Sequence, residues 1–245
     1  MNGIVSRRSA ASIFGVLAIA VAVPGCDSDA ASGGTPRASV VESVPQDWYR
    51  GDRPILRSQL DAARGNLWAL TAEGIELYEA ATRRRVAQIA LPDWLWVGEK
   101  YTCPPDLTIG PGGEAVISSN IVPTLWRIDP ATLKASRHEL VLDEDKGKDV
   151  GFTGLVYSAP QKAFFAVSAM HGSMWRIDPA LQRAQSIPLS EPLPKACGIA
   201  MQTRAADQRA NRFAALCVRA DKGDWSVNLA PDQRFGYVRP GQCMI

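Results

Sequence analysis

Four aromatic residues, Tyr78, Trp126, Trp175 and Trp225, follow one another at intervals of 48, 49 and 50 residues. Around two of them the chain repeats six residues, Trp-Arg-Ile-Asp-Pro-Ala, at Trp126–Ala131 and Trp175–Ala180. A period of this length marks an architecture of stacked units, each of which buries its apolar surface only against its neighbours. Three segments align on it: Asn66–Leu91, Glu114–Leu142 and Lys162–Leu189.

Each unit holds four short strand signals broken by turns. The first strands are expected near Leu56–Ala62, Asp106–Gly110, Thr153–Ser158 and Cys197–Gln202, and the second near Leu67–Thr71, Ala115–Ser119, Ala163–Ser168 and Phe213–Arg219. The second strands are almost wholly apolar and must be covered on both faces. The third strands carry the Trp or Tyr. The fourth, Arg85–Leu91 and Ala135–Leu142, alternate polar with apolar residues, as a half-exposed outer strand does. Asp129-Pro130-Ala131 and Asp178-Pro179-Ala180 stop the third strands, because proline fixes φ and has no N–H to give a ladder. No segment keeps a helical period. Polarity rising from first to fourth strand predicts an all-β chain, a small β-propeller of about four four-stranded antiparallel blades. Residues 38–55 could supply strands of a fifth, and two chains could combine. A β-sandwich would not explain the period.

The phrase Leu125–Lys134, LWRIDPATLK, resembles blades of the YVTN, NHL and SMP-30-type propeller families and of the quinoprotein amine dehydrogenase-like superfamily. The resemblance covers residues 56 to 245 and implies a fold, not an activity. SMP-30-type lactonases use a metal set of Glu, Asn, Asn and Asp. Asn120 stands near one such position, but the other three have no counterpart.

The N-terminus is built differently. Arg7 and Arg8 precede Ala11–Val23, thirteen residues without charge, too short to span the roughly 30 Å apolar core of a bilayer as a helix. Val23-Pro24-Gly25-Cys26 follows. This ending resembles the lipobox of bacterial lipoproteins, although Pro24 departs from the usual small or hydroxyl residue. The resemblance implies cleavage before Cys26 and acylation of its sulfur. Residues 1–25 are then a signal peptide, residues 26–40 a lipidated flexible tether of small polar residues, and residues 41–245 the propeller. Cell-envelope localisation follows, facing the periplasm, on the inner or outer membrane.

Arg7 and Arg8 are the only charged residues in 1–25, so the mature chain carries 25 Lys+Arg against 25 Asp+Glu. A neutral domain has no electrostatic footprint for nucleic acid. The expected partners are the membrane, through the anchor, and another envelope protein.

In a propeller the loops between second and third strands, and those leading into each first strand, share one face. The longest is Pro92–Pro105, whose Trp94, Trp96 and Tyr101 are rigid amphipathic anchors of the kind used in binding; the two tryptophans could instead plug the channel. Asn120 and His171 fall in second-to-third-strand turns on the same face. Asp143, Asp145 and Asp149 alternate around Gly147 in a loop that can wrap Ca²⁺, but Lys146 and Lys148 oppose a cation and favour a solvated loop. No other cofactor is indicated. No nucleophile elbow, zincin, haem-attachment or phosphate-loop motif occurs, so no catalytic residue is assigned. Excluding Cys26, an even set of four cysteines in an oxidising compartment predicts disulfides. Strand pairing about Asp207 would set Cys197 opposite Cys217 and leave Cys103 for Cys243; buried free thiols are the alternative. The sequence therefore points to a lipid-anchored binding or assembly module. A metal-dependent hydrolase of the lactonase type and an accessory subunit of a periplasmic oxidoreductase are the alternatives.

Overall fold

The computed structural model describes residues 54–98, 103–144, 150–201, 215–221, 223–230 and 232–241, all within one unit, Ala38–Ile245. Every regular element among them is a strand. The first sheet is β1 (Arg57–Asp61), β2 (Asn66–Thr71), β3 (Gly74–Glu79) and β4 (Arg84–Ile89). The second is β5 (Leu107–Ile109), β6 (Ala115–Ser118), β7 (Thr124–Ile128) and β8 (Ala135–Glu139). A short β9 (Val141–Leu142) leads to the third, β10 (Gly154–Ser158), β11 (Ala163–Ser168), β12 (Ser173–Ile177) and β13 (Arg183–Ile187). The fourth is β14 (Ala196–Met201), β15 (Ala215–Ala220), β16 (Gly223–Leu229) and β17 (Gly236–Pro240). Each sheet is an antiparallel meander, and β1, β5, β10 and β14 are the strands that meet one another across the axis. This is a four-bladed propeller. β9 departs from the meander: it pairs in parallel with β13 and makes the third sheet five-stranded.

The repeat sequence explains itself in the outer hairpins. The Asp129 carboxylate accepts the N–H groups of Ala131 and Thr132, and Asp178 does the same for Ala180, Gln182 and Arg183. Aspartate caps such turns by accepting backbone N–H groups two or three residues on. The hydrogen bonds to the ionised form hold the Asp129 carboxyl below its ordinary pKa. One non-glycine residue of each hairpin, Arg83, Leu133, Leu181 and Gln233, takes a left-handed φ between 55° and 60°.

Side chains of β2, β6, β11 and β15 point alternately to the two neighbouring blades, so the middle of each strand is apolar at successive positions. Trp68, Leu70 and Ile75 of blade 1 pack with Ile117, Trp126 and Ile128 of blade 2. Leu125 of blade 2 packs with Phe164 and Trp175 of blade 3, and Phe165 and Met174 of blade 3 with Leu216 and Val227 of blade 4. The third-strand tryptophans each face the preceding blade; Trp126 and Trp175 are fully buried, Trp225 half-buried. Blade 1 differs. Its β2–β3 turn is two residues shorter than the β6–β7 turn, so the position two residues in from the turn is held by Glu76, not Tyr78. The buried Glu76 carboxylate accepts the Tyr78 hydroxyl at 2.5 Å and the Arg85 guanidinium at 3.1 Å. The apolar residues of this face, Leu67, Ala69 and Tyr78, cluster with no described residue of blade 4.

Candidate functional site: the loop face

A meander places the starts of β1, β5, β10 and β14 at the same end as the turns after β2, β6, β11 and β15. At the centre of this end stands an ion pair. Arg57, first residue of β1, sets Nε 3.4 Å from the Asp106 carboxylate and donates from Nη2 to the Cys197 carbonyl at 2.6 Å. Asp106 in turn accepts the N–H of Leu107 and the N–H of Leu155, each at 2.8 Å. One pair thus ties together all four blades. Burial pushes the Asp106 carboxyl above its ordinary 3.8, against the opposing pull of Arg57, of the N–H groups of Leu155 and Leu107, and of Arg219. Further axial bonds run from Ser118 Oγ to the Phe152 carbonyl at 2.7 Å and from Thr153 Oγ1 to the Ala196 carbonyl at 2.6 Å.

Beside the axis, Cys103 and Cys197 form a disulfide with Cα atoms 5.0 Å apart. This corrects the pairing expected from sequence. The fully buried Cys217 is itself disulfide-bonded, but not to Cys197. A bulge between Ala196 and Gly198 takes Cys197 out of the ladder, and the register sets Cys217 opposite Ala200. Cys197 is left to meet the loop that returns to blade 2. Cys243 lies outside the described residues, as do Cys26, Tyr101, Asp145 and Asp149.

The tryptophans of the long loop do not sit in the channel. The Trp94 and Trp96 indole N–H groups both donate to the Ala72 carbonyl, at 2.9 and 3.2 Å. Trp94 also stands edge-on to Trp126, centroids 4.8 Å apart, while the Trp126 N–H donates to the Pro92 carbonyl. Asn120 is buried and clamps the same loop: it accepts the Val97 N–H at 2.9 Å and donates to the carbonyls of Val97 and Cys103, each at 2.8 Å. Ser119 Oγ donates to the Leu95 carbonyl. The described part of the loop is therefore held at the backbone of Leu95, Val97 and Cys103, with the Leu95 and Val97 side chains presented outward at 42% and 36% exposure. Met170, 62% exposed, rises from the β11–β12 turn next to the half-buried His171. His138 lies on the outer strand β8; desolvation, then the nearby Arg127, lowers its pKa. Asp143 accepts the Ser186 N–H, and among the described residues no three carboxylate, histidine or cysteine side chains gather as a metal site.

The face thus has a charged centre, Arg57, Asp106 and Arg219, and exposed apolar side chains around it, Leu95, Val97 and Met170. The sequence located Trp94, Trp96, Asn120 and His171 on this face. It missed the centre, although the charge of Asp106 directly before the short, mostly apolar Leu107–Ile109 is a signal that could have been read.

No family model and no curated protein matches the chain. Solved structures do. The chain resembles Kuenenia stuttgartiensis hydrazine synthase with a TM-score of 0.55 at 9% identity, over 79% of this chain and 51% of that one. It resembles an auxiliary nutrient binding protein from Bacteroides ovatus with a TM-score of 0.52 at 12% identity, over 75% and 46%. The corresponding protein from Bacteroides thetaiotaomicron gives 0.50 at 10% identity, over 77% and 42%. The chain spans about half the length of these proteins. At such identities the likeness is one of fold, and it agrees with the four blades: the chain is built as a β-propeller.

Proposed function

We propose that this chain is a lipid-anchored binding module of the bacterial cell envelope that docks a partner protein on its loop face. The observation that carries the reading is the loop at Trp94–Val97: its backbone is held by Asn120 and Ser119 and its two indoles by the Ala72 carbonyl, while Leu95 and Val97 stand in solvent. Surface aliphatic groups on a backbone already ordered lose little entropy on association, which is the condition under which apolar area converts to affinity. The named nutrient-binding function of two neighbours fits binding rather than catalysis. Anchoring rests on the lipobox-like Val23–Cys26 and gives the partner a place, a membrane surface. Capture from detergent-solubilised membranes tests the docking. Leu95→Asp with Val97→Asp should abolish co-purification of the partner while the melting temperature stays within a few degrees, since both side chains are exposed. Undiminished capture by the folded double variant would refute the assignment of this face.

A further inference from the structure

The segments that leave blades 2 and 3 are each used again on the outer edge of the next blade. After β8, the chain runs along the outer edge of blade 3: Val141 N–H donates to Gln182 O at 2.9 Å, Asp143 N–H to Ala184 O at 3.2 Å, and Asp143 Oδ1 accepts Ser186 N–H at 2.8 Å. After β13 the same clasp closes on blade 4. Gly236 N–H donates to Pro188 O, Ser190 N–H to Gly236 O, and Ser190 Oγ accepts Val238 N–H, each at 2.9 Å. In both, a leucine (Leu142, Leu189) precedes an Asp or Ser that bonds once by its backbone and once by its side chain. Unpaired strand edges are open to further strands, and the chain covers two of its own in this way.

Among the described residues, blade 2 lacks the clasp. The corresponding segment is Leu91-Pro92-Asp93. Pro92 has no N–H, its carbonyl is taken by Trp126, and Asp93 turns away with φ 49°. Its carboxylate pairs with the Arg137 guanidinium, at 3.5 Å. A cleft of about 640 Å³ opens there, lined by Ala87, Ile89, Leu91, Leu133 and Ala135. The bond from Asp129 N–H to Lys134 O turns Lys134 inward to β7, so Ala135 and Arg137 direct their backbone groups outward along this cleft. They match Ala184 and Ser186 in blade 3, and Gly236 and Val238 in blade 4.

We infer that the outer edge of blade 2 takes up an extended segment of a partner protein, running parallel to β8, with an apolar residue, leucine, then Asp or Ser. The leucine fills the aliphatic cleft. The Asp or Ser N–H donates to Ala135 O, and its side-chain oxygen accepts Arg137 N–H. Backbone bonds supply the affinity and the cleft supplies the specificity, as in strand addition generally. Lys134 and Arg137 favour the acidic form of the motif.

The probe is a peptide copying residues 139–144, ELVLDE, added to the ¹⁵N-labelled full chain in detergent micelles. Saturable shifts are expected at the Ala135 and Arg137 amides and at Ala87. Replacing the peptide's second Leu and its Asp by Ala should weaken binding roughly tenfold or more. Ala90→Trp fills the cleft from an exposed position and should abolish the shifts; Arg137→Pro removes the N–H on an edge where proline is tolerated and should do the same. The inference is overturned by an absence of saturable shifts at millimolar peptide, by shifts confined to other edges, or by binding that survives Ala90→Trp. Concentration-dependent self-association through these same amides, without peptide, would overturn it in favour of a second copy.

Discussion

Asp106 illustrates how one residue can hold a ring. Its carboxylate joins Arg57, Leu107 and Leu155, and through Arg57 reaches Cys197. Because burial raises its pKa, the folded state keeps a proton that the unfolded state releases near 3.8. In that window the folded state binds more protons, so the stability due to this group falls as pH rises through the folded value. Asp106→Asn removes the titration. The unfolding free energy of the native chain minus that of the variant should therefore decline from pH 4 upward; a difference that grows with pH would contradict the assignment. The tryptophans give a second residue-scale expectation. Trp126→Ala and Trp175→Ala, fully buried, should each cost about 3–5 kcal/mol. Trp225→Ala should cost less, because Trp225 is only half-buried. Equal losses at all three positions in denaturant titration would show that they are equivalent after all.

At the scale of elements, much was legible. The first and second strands fall where the sequence puts them, within a few residues, because apolar runs and Asp-Pro turns are local signals. Two features were not. The β2–β3 turn is shorter than the β6–β7 and β11–β12 turns, which shifts Tyr78 by two residues and brings Glu76 to the repeat position; an interval of 48 cannot reveal a compensating change elsewhere. The bulge in β14 likewise misdirects Cys197, since a bulge moves a side chain without altering the count of residues between turns. Of the binding candidates, Trp94, Trp96 and Asn120 hold the loop, and the exposed surface proposed for docking passes to Leu95 and Val97, which no sequence pattern distinguishes from core residues. The segment entering β10 offers a direct check. A Cβ at Gly151 would lie 2.0 Å from the Asn120 carbonyl carbon. Backbone cannot yield as a side chain can, so Gly151→Ala should cost roughly 1–3 kcal/mol and loosen the loop clamped by Asn120. Unchanged stability would mean that the two backbones are not in contact.

For the whole molecule, three blade junctions are apolar and the fourth, between blades 4 and 1, has no shared apolar cluster among the described residues. Closure there rests on the axial Arg57–Cys197 bond and on the Cys103–Cys197 disulfide, which links blade 4 to the loop entering blade 2. That disulfide closes a span of 94 residues, worth about 4–5 kcal/mol in the chain-entropy description. Cys103→Ser with Cys197→Ser should lower stability by up to that amount; a loss below about 1 kcal/mol would show that the ring is closed by other means.

Photo-crosslinking in intact cells separates the loop face from the opposite face as the seat of the proposed partner. A photoreactive residue replaces Leu95 in one chain and Leu60, at the far end of β1, in another; the two are exposed to similar extents, 42% and 36%. The account expects a discrete crosslinked species from position 95 and none from position 60. The same adduct from both positions, or from position 60 alone, would contradict it.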